Sequence, residues 1–140
     1  MLYLDTSVLV AALTNEPRTS EIQEWLAAQP PEQLAISDWV VTEFSGALSL
    51  KVRTSRLTPA QRAEALAVFA FLTEASFTVL PLSRLEFNTA ARFADQHVTG
   101  LRAGDALHLA EAASHGLRLN TMDRELVQAA EALGVSAALS

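Results

Sequence analysis

The sequence predicts an α/β fold in which a parallel sheet is covered by helices on both faces. Five short β-like runs, at residues 2–5, 34–37, 77–80, 118–121 and 135–138, alternate with longer amphipathic stretches. This alternation is typical of parallel strands joined by crossover helices. The chain has 140 residues, half of them hydrophobic, so it is long enough to bury a core without disulfide or metal support. We therefore expect a single domain over residues 1–140.

The helices follow from hydrophobic periodicity and from start and stop signals. Thr58 and Pro59 place a capping hydroxyl before a proline at the first helical position. Three glycines follow helical runs at positions where a left-handed residue ends a helix at little conformational cost: Gly100, Gly116 and Gly134. The predicted helices cover residues 7–13, 18–28, 39–54, 59–75, 83–97, 102–115 and 124–133.

The composition excludes several classes of function. There is no cysteine, which excludes a disulfide framework, a cysteine-based zinc site and thiol catalysis. Asp5 interrupts the apolar run at the N-terminus, so we expect neither a signal peptide nor a membrane span. We therefore expect the protein to be cytoplasmic. The net charge of -6 argues against binding of nucleic acid through bulk basicity, so a nucleic-acid substrate requires metal ions and a local set of basic residues. The candidates are Lys51, Arg53, Arg56, Arg84, Arg92 and Arg102.

Four carboxylates are predicted to meet at the carboxyl ends of the strands, where ligands bind in open parallel sheets. Asp5 ends the first strand, and Asp123 lies just past the fourth. Asp105 is in the first turn of the helix that leads into the fourth strand. Since that helix runs antiparallel to the strand, its first turn lies near the strand's carboxyl end. Glu43 is about one turn into the helix after the second strand.

Each of these acids also has a simpler structural interpretation. Asp5, Asp105 and Asp123 stand where aspartate caps a helix or stabilises its N-terminal dipole. Glu43 could be an edge residue or a member of an ion pair on an apolar stripe. After the first strand, Thr6 and Ser7 could cap as well as Asp5. This favours a functional interpretation of the acid.

A histidine and two other acids are interpreted as structural. His108 lies three residues after Asp105 on a helix that is apolar nearly all round, and we expect a packed core histidine with one satisfied nitrogen rather than a metal ligand. Asp38 and Asp95 have capping or solvated explanations. Neither belongs to the predicted site.

Four converging carboxylates fit phosphodiester hydrolysis. Hard cations such as Mg²⁺ and Mn²⁺ take oxygen ligands, keep several waters and use a few carboxylates together with substrate phosphate. Such an ion lowers the pKa of a bound water and stabilises negative charge on phosphate oxygens. The sequence contains no Gly-rich phosphate loop and no Ser-His-Asp set that would indicate another chemistry.

Four stretches carry a resemblance to a known family. They read Tyr-Leu-Asp-Thr-Ser from residue 3, Val-Thr-Glu-Phe from 41, Ala-Gly-Asp-Ala-Leu-His-Leu-Ala from 103 and Asn-Thr-Met-Asp-Arg from 120. In this order, and in these strand and helix contexts, they resemble PIN-domain ribonucleases of the VapC toxin kind. The matching stretches span almost the whole chain.

The resemblance implies a Rossmann-like fold with a five-stranded parallel sheet and RNA cleavage that depends on Mg²⁺ or Mn²⁺. It also implies a homodimer and inhibition by a small antitoxin. By the family's motif, the catalytic and metal-binding acids would be Asp5, Glu43, Asp105 and Asp123. The hydroxyls of Thr6 and Thr121 match supporting positions.

Two other functions compete with this one. A PIN-like module could bind RNA or a protein partner without cutting RNA. A phosphatase or phosphorelay receiver could use a similar sheet, but the phosphatase requires a second acid where Ser7 stands, and the receiver requires a late lysine that the chain lacks.

Overall fold

The computed structural model describes residues 1–140 and contains one sheet of five parallel strands. The strands are β1 (Leu2–Leu4), β2 (Leu34–Ser37), β3 (Thr78–Leu80), β4 (Arg118–Thr121) and β5 (Ala137–Leu139). Their spatial order is β3-β2-β1-β4-β5. The predicted parallel sheet is therefore confirmed, and each strand begins and ends within two residues of its predicted bounds.

Seven helices alternate with these strands as the sequence predicted. They are α1 (Thr6–Leu13), α2 (Thr19–Ala27), α3 (Asp38–Arg53), α4 (Pro59–Ala75), α5 (Arg84–Ala94), α6 (Ala103–Ser114) and α7 (Arg124–Ala132). The helix α5 ends three residues earlier than predicted, because the chain enters a short 3₁₀ turn, His97–Thr99, which Gly100 closes at a φ of 68°. None of the helices has both the length and the apolar character needed to cross a membrane.

The core lies on both sides of the central strands. Every residue of β2 is buried, which requires cover on both faces of the sheet. The buried set includes Tyr3 and Leu4 of β1. Phe44 of α3 packs against Phe69 of α4, with ring centroids 4.3 Å apart.

The strand order places a switch point beside β1. From β1 the chain continues to β2 and β3 on one side, and then returns to β4 and β5 on the other. The crossovers that leave β1 and those that return to β4 therefore diverge, which opens a crevice at the carboxyl ends of these two strands. Asp5 and Asp123 follow these two strand ends.

Candidate active site

The structure brings the four predicted acids to one cavity of about 600 Å³ at this crevice. Its wall includes Asp5, Glu43, Asp105 and Asp123. A smaller adjoining cavity of about 210 Å³ shares Asp105 and Asp123. No three of the four side chains bring carboxylate oxygens within 4.8 Å of one another, so the acids form an open rim rather than a closed cage.

Asp5 is buried; it caps α1 and also lines the cavity. Its Oδ1 accepts hydrogen bonds from the backbone N–H groups of Ser7 (3.1 Å) and Val8 (3.4 Å) and from the Ser7 hydroxyl (2.5 Å). Asp5 is therefore the N-cap of α1, as its simpler structural interpretation proposed. These three bonds all end on Oδ1. Burial is the largest effect on this carboxyl and raises its pKa, whereas the Thr121 hydroxyl also acts on the carboxylate and lowers its pKa.

Glu43 is held by two side-chain donors. Its Oε1 accepts from the Thr6 hydroxyl at 2.7 Å and lies 2.5 Å from Nε2 of His108. Burial acts to raise the pKa of Glu43, but the hydrogen bond and charge of His108, together with the Thr6 hydroxyl, outweigh it and hold the pKa below its ordinary value. Glu43 therefore remains an oriented anion at neutral pH.

His108 is more than the packed core residue that the sequence suggested. It is 2% exposed, and both of its nitrogens have partners, because Nδ1 lies 2.8 Å from the Tyr3 hydroxyl. Burial raises the pKa of Tyr3, so Tyr3 keeps its proton and can donate it to Nδ1. Nε2 of His108 faces Glu43 and donates a hydrogen bond to its Oε1. The role of His108 is to position Glu43.

Asp105 is the third residue of α6 and is half-buried. The helix begins without a side-chain cap, and no group of the protein donates a hydrogen bond to the Asp105 carboxylate. Burial is the main cause of its raised pKa, and the charges of Asp5, Asp123 and Glu43 add to the effect against the opposing charge of His108. A capping role therefore does not explain why an acid stands here.

Asp123 is linked to the end of β1 through hydroxyl groups. Its Oδ1 caps α7 by accepting from the backbone N–H of Glu125 at 2.9 Å, and its own N–H donates to Thr121 Oγ1 at 3.1 Å. The Ser7 hydroxyl accepts from the N–H of Met122 at 3.0 Å and lies 3.4 Å from Thr121 Oγ1. From the sequence Ser7 was a possible cap and a position lacking an acid, whereas the structure places its hydroxyl between the ends of β1 and β4.

Gly104 allows α6 to approach Glu43 closely. A Cβ atom at this position would lie 3.0 Å from Glu43 Oε2 and 3.4 Å from the Trp39 ring. A Cβ on Gly46, by contrast, would have no neighbour within 4 Å. Gly46 and Ala47 line the cavity, but the steric requirement for glycine lies at Gly104, immediately before Asp105.

Two of the predicted basic residues lie at the site. Arg53 lines the larger cavity and Arg102 the smaller one. Lys51 instead forms an ion pair with Glu16, with 3.0 Å between Nζ and the carboxylate. Asp38 and Asp95, which the sequence analysis set aside, line neither cavity.

Comparison with known proteins identifies the family. The PIN-domain profile matches residues 2–132, which is nearly the whole chain. The chain belongs to the PIN-domain family. The resemblance inferred from the sequence motifs is thereby confirmed, and the acids described above lie in the matched region.

Solved PIN-domain structures share this fold at low sequence identity. FitAcB from Neisseria gonorrhoeae is 22% identical with a TM-score of 0.74, over 98% of this chain and 96% of that one. VapC20 from Mycobacterium tuberculosis, described as a toxin that cleaves the sarcin-ricin loop, is 19% identical with a TM-score of 0.73, over 96% of each chain. DNA-bound VapBC from Salmonella typhimurium is 17% identical with a TM-score of 0.73, over 99% of this chain and 96% of that one. No curated protein sequence matches the chain significantly.

Proposed function

We propose that this PIN domain is a metal-dependent endoribonuclease in which Asp5, Glu43, Asp105 and Asp123 are the catalytic and metal-binding residues. The observation that carries the proposal is the meeting of four carboxylates on one cavity at the switch point of the sheet. Membership of the PIN family and the likeness to a toxin described as cleaving the sarcin-ricin loop support it.

The donor set fits a hard divalent cation, Mg²⁺ or Mn²⁺. The available atoms are carboxylate oxygens, among them those of Asp105, which receive no hydrogen bond from the protein. An open rim suits an ion that keeps several waters and binds only a few carboxylates directly. When bound, the ion supplies Lewis acidity toward a phosphate oxygen and lowers the pKa of a coordinated water.

The surrounding residues hold two of the acids in fixed orientations before substrate binds. His108 and Thr6 hold Glu43 in its ionised form and fix one of its oxygens. Ser7 holds Oδ1 of Asp5, so the other oxygen of that carboxylate can face the cavity. Side chains that are fixed before substrate arrives lose little further freedom when the reacting groups assemble.

Arg53 and Arg102 are proposed to bind RNA phosphates. Each lines one of the two adjoining cavities that share Asp105 and Asp123. A phosphodiester chain that passes through both cavities would meet an arginine on each side of the acids. Such local pairing supplies the positive charge that a chain of net charge -6 lacks overall.

The test is RNA cleavage by the wild type and by two acid variants. Wild type should cut single-stranded RNA in Mg²⁺ or Mn²⁺, lose activity in EDTA and recover it when the ion is restored. Asp5→Asn and Asp105→Asn should abolish cleavage while leaving the circular dichroism spectrum unchanged. Asp95→Asn, at an exposed aspartate that lines neither cavity, should remain active. Retained cleavage in either site variant would refute the assignment.

The second candidate function is a module that binds RNA or protein without cutting. Gel-shift binding of the same RNA by wild type, with no cleavage in either metal, would favour it. The unpartnered carboxylate of Asp105 favours the nuclease, because a binding surface for RNA gains nothing from an additional anion.

The proposed biological role is that of a toxin controlled by a small antitoxin. Several of the structural neighbours are described as complexes, including a toxin-antitoxin complex from Klebsiella pneumoniae. In this chain, α3 exposes Val41 and Leu50, and α4 exposes Val68 and Phe71. We place the antitoxin in the groove beside these two helices. The product of a small adjoining reading frame should bind the purified chain and suppress its cleavage of RNA.

A further inference from the structure

A second cluster of metal-binding side chains lies between α5 and α6. Glu111 and His115 stand one turn apart near the C-terminal end of α6, and Glu86 lies in the first turn of α5. One ligand atom from each of the three lies within 4.8 Å of the others. Glu111 and His115 are six and ten residues beyond Asp105, which corresponds to about 9 and 15 Å of helix. None of the three side chains lines either cavity of the candidate active site, so the cluster is separate from it.

Glu111 makes this cluster unusual. The residue is completely buried, at 0% exposure, and neither of its carboxylate oxygens accepts a hydrogen bond. Nε2 of His115 is 3.3 Å from Glu111 Oε1 but makes no hydrogen bond to it. A buried carboxylate without a hydrogen-bond partner is strongly unfavourable unless a cation or a proton neutralises it.

The neighbouring carboxylates increase the negative charge around Glu111, against the smaller opposing effect of His108. Glu86 is 6% exposed, and its Oε2 accepts from the backbone N–H of Ser83 at 3.0 Å and from the Ser83 hydroxyl. Its Oε1 faces Nε2 of His115 at 3.8 Å. Burial, and then repulsion from Glu86 and Asp38, raises the pKa of Glu111 to about 7. A single partly exposed imidazole therefore faces two carboxylates.

We propose that Glu86, Glu111 and His115 form a binding site for one divalent transition-metal ion of the zinc class. An imidazole nitrogen in the donor set favours Zn²⁺ and its analogues over Mg²⁺ and Ca²⁺. Ligand bonds of about 2.0–2.2 Å in a tetrahedral site put neighbouring donor atoms about 3.4 Å apart. The two distances from His115 Nε2, 3.3 and 3.8 Å, are close to that separation.

The fourth position of this site would be taken by water. The His115 side chain is 34% exposed, so solvent reaches the cluster from its side while Glu111 closes the interior. The ion would connect the first turn of α5 to the last turn of α6. Since α6 also carries Asp105 and His108, the site stabilises the helix that presents these two residues to the cavity.

Zn²⁺ binding by the full-length, tag-free, metal-stripped protein tests the proposal. Asp105→Asn serves as the background, because it impairs the candidate active site and leaves the second cluster intact. Calorimetric titration should show one equivalent of Zn²⁺ bound to this background. Adding His115→Gln or Glu111→Gln should weaken that binding at least about tenfold. Co²⁺ in place of Zn²⁺ should give intense visible absorption that the same two substitutions remove.

His97→Gln in the Asp105→Asn background provides the matched control, because His97 is exposed and outside the cluster. It should bind Zn²⁺ as the background does. The proposal is overturned if the background binds no Zn²⁺, if binding survives in both cluster variants, or if His97→Gln weakens it equally. His115→Gln changes a partly exposed side chain, so the test does not depend on how well Glu111→Gln folds. The readout is metal binding, so its result is independent of whether the protein cleaves RNA.

Discussion

The substitution Asp105→Asn should stabilise the metal-free protein, although it removes a charge from the first turn of a helix. Asp105 accepts no hydrogen bond, so replacing it with an amide of the same shape breaks no bond in the folded state. Its raised pKa arises mainly from burial; the charge of His108 opposes this effect, and the charges of Asp5, Asp123 and Glu43 add to it. Burial and the carboxylate charges both oppose the ionised form of Asp105 in the folded protein, and both effects disappear in the variant.

The expected change in the free energy of unfolding is small, because solvent and salt reach the open site and screen its charges. Two carboxylates about 6 Å apart repel by roughly 3 kcal/mol at an effective dielectric of about 20, and partial exposure and salt reduce this to a fraction. Loss of the interaction with the N-terminal dipole of α6 opposes the gain by about 0.3–1 kcal/mol. The net increase in the free energy of unfolding should therefore be between zero and about 1.5 kcal/mol, or up to about 5 °C in Tm.

Four melting curves measure this effect: wild type and Asp105→Asn, each in EDTA and in Mg²⁺. In EDTA the variant should melt at or above the wild-type temperature. Mg²⁺ at about ten times its Kd should stabilise wild type by about 1.4 kcal/mol. The variant lacks one ligand and should gain less, so the order of the two proteins should reverse.

A different pattern would refute this interpretation of Asp105. If the carboxylate only stabilises the start of α6, the variant should lose up to about 1 kcal/mol in EDTA and in Mg²⁺ alike. Asp95→Asn, at an exposed position at the end of α5, controls for the change in net charge and should follow wild type under both conditions.

Three further predictions concern other parts of the structure. Gly104→Ala should lower RNA cleavage at least about tenfold without lowering Tm, because its Cβ would displace Glu43 while alanine favours the helix by about 1 kcal/mol. The control Gly46→Ala has no neighbour near its Cβ and should only raise Tm. A Gly104→Ala variant that remains active would contradict the steric argument. In EDTA, the free energy of unfolding should fall as pH rises from 4.5 to about 7, because the folded state retains a proton on Glu111 that the unfolded state has released. Chemical denaturation at several pH values should show a smaller dependence on pH in Glu111→Gln. An unchanged dependence would exclude Glu111 as its source. Light scattering should show a homodimer, since exposed apolar side chains away from the antitoxin groove, such as Leu85 and Phe87 of α5, favour burial against a second copy. A monomer at micromolar concentration would argue against it.

Local features of the sequence were sufficient to predict much of the fold. The alternation of short apolar runs with helical periodicity predicted the order of five strands and seven helices, because both periods arise from the backbone geometry of each element. Gly100, Gly116 and Gly134 ended helical segments in the left-handed conformation as predicted, with φ between 64° and 74°. The prediction was less accurate at the end of α5, since the 3₁₀ turn at His97–Thr99 has no distinct pattern in the sequence.

The sequence also indicated which acids stand at the carboxyl ends of strands, but not how their side chains are held. It set His108 aside, although a single histidine three residues after Asp105 on an apolar helix was a signal that could have drawn attention to it. It offered Asp5, Thr6 and Ser7 as alternative caps of the first helix, and the structure shows that Asp5 caps α1. A carboxylate can cap a helix with one oxygen and face the cavity with the other, so the two interpretations were never exclusive.

The amino-acid sequence by itself determined the α/β class, the order of the elements and the set of acids that the sheet would bring together. These follow from local periodicity and from the rule that parallel strands end on one edge. Only the tertiary structure decided the contacts between distant segments, such as His108 with Glu43, 65 residues apart, and Ser7 with Met122, 115 residues apart. It alone also placed Glu86 beside Glu111 and His115. These contacts depend on how α5, α6 and the strand ends pack. Packing is specified by the whole core rather than by any one segment, so no local pattern predicts them.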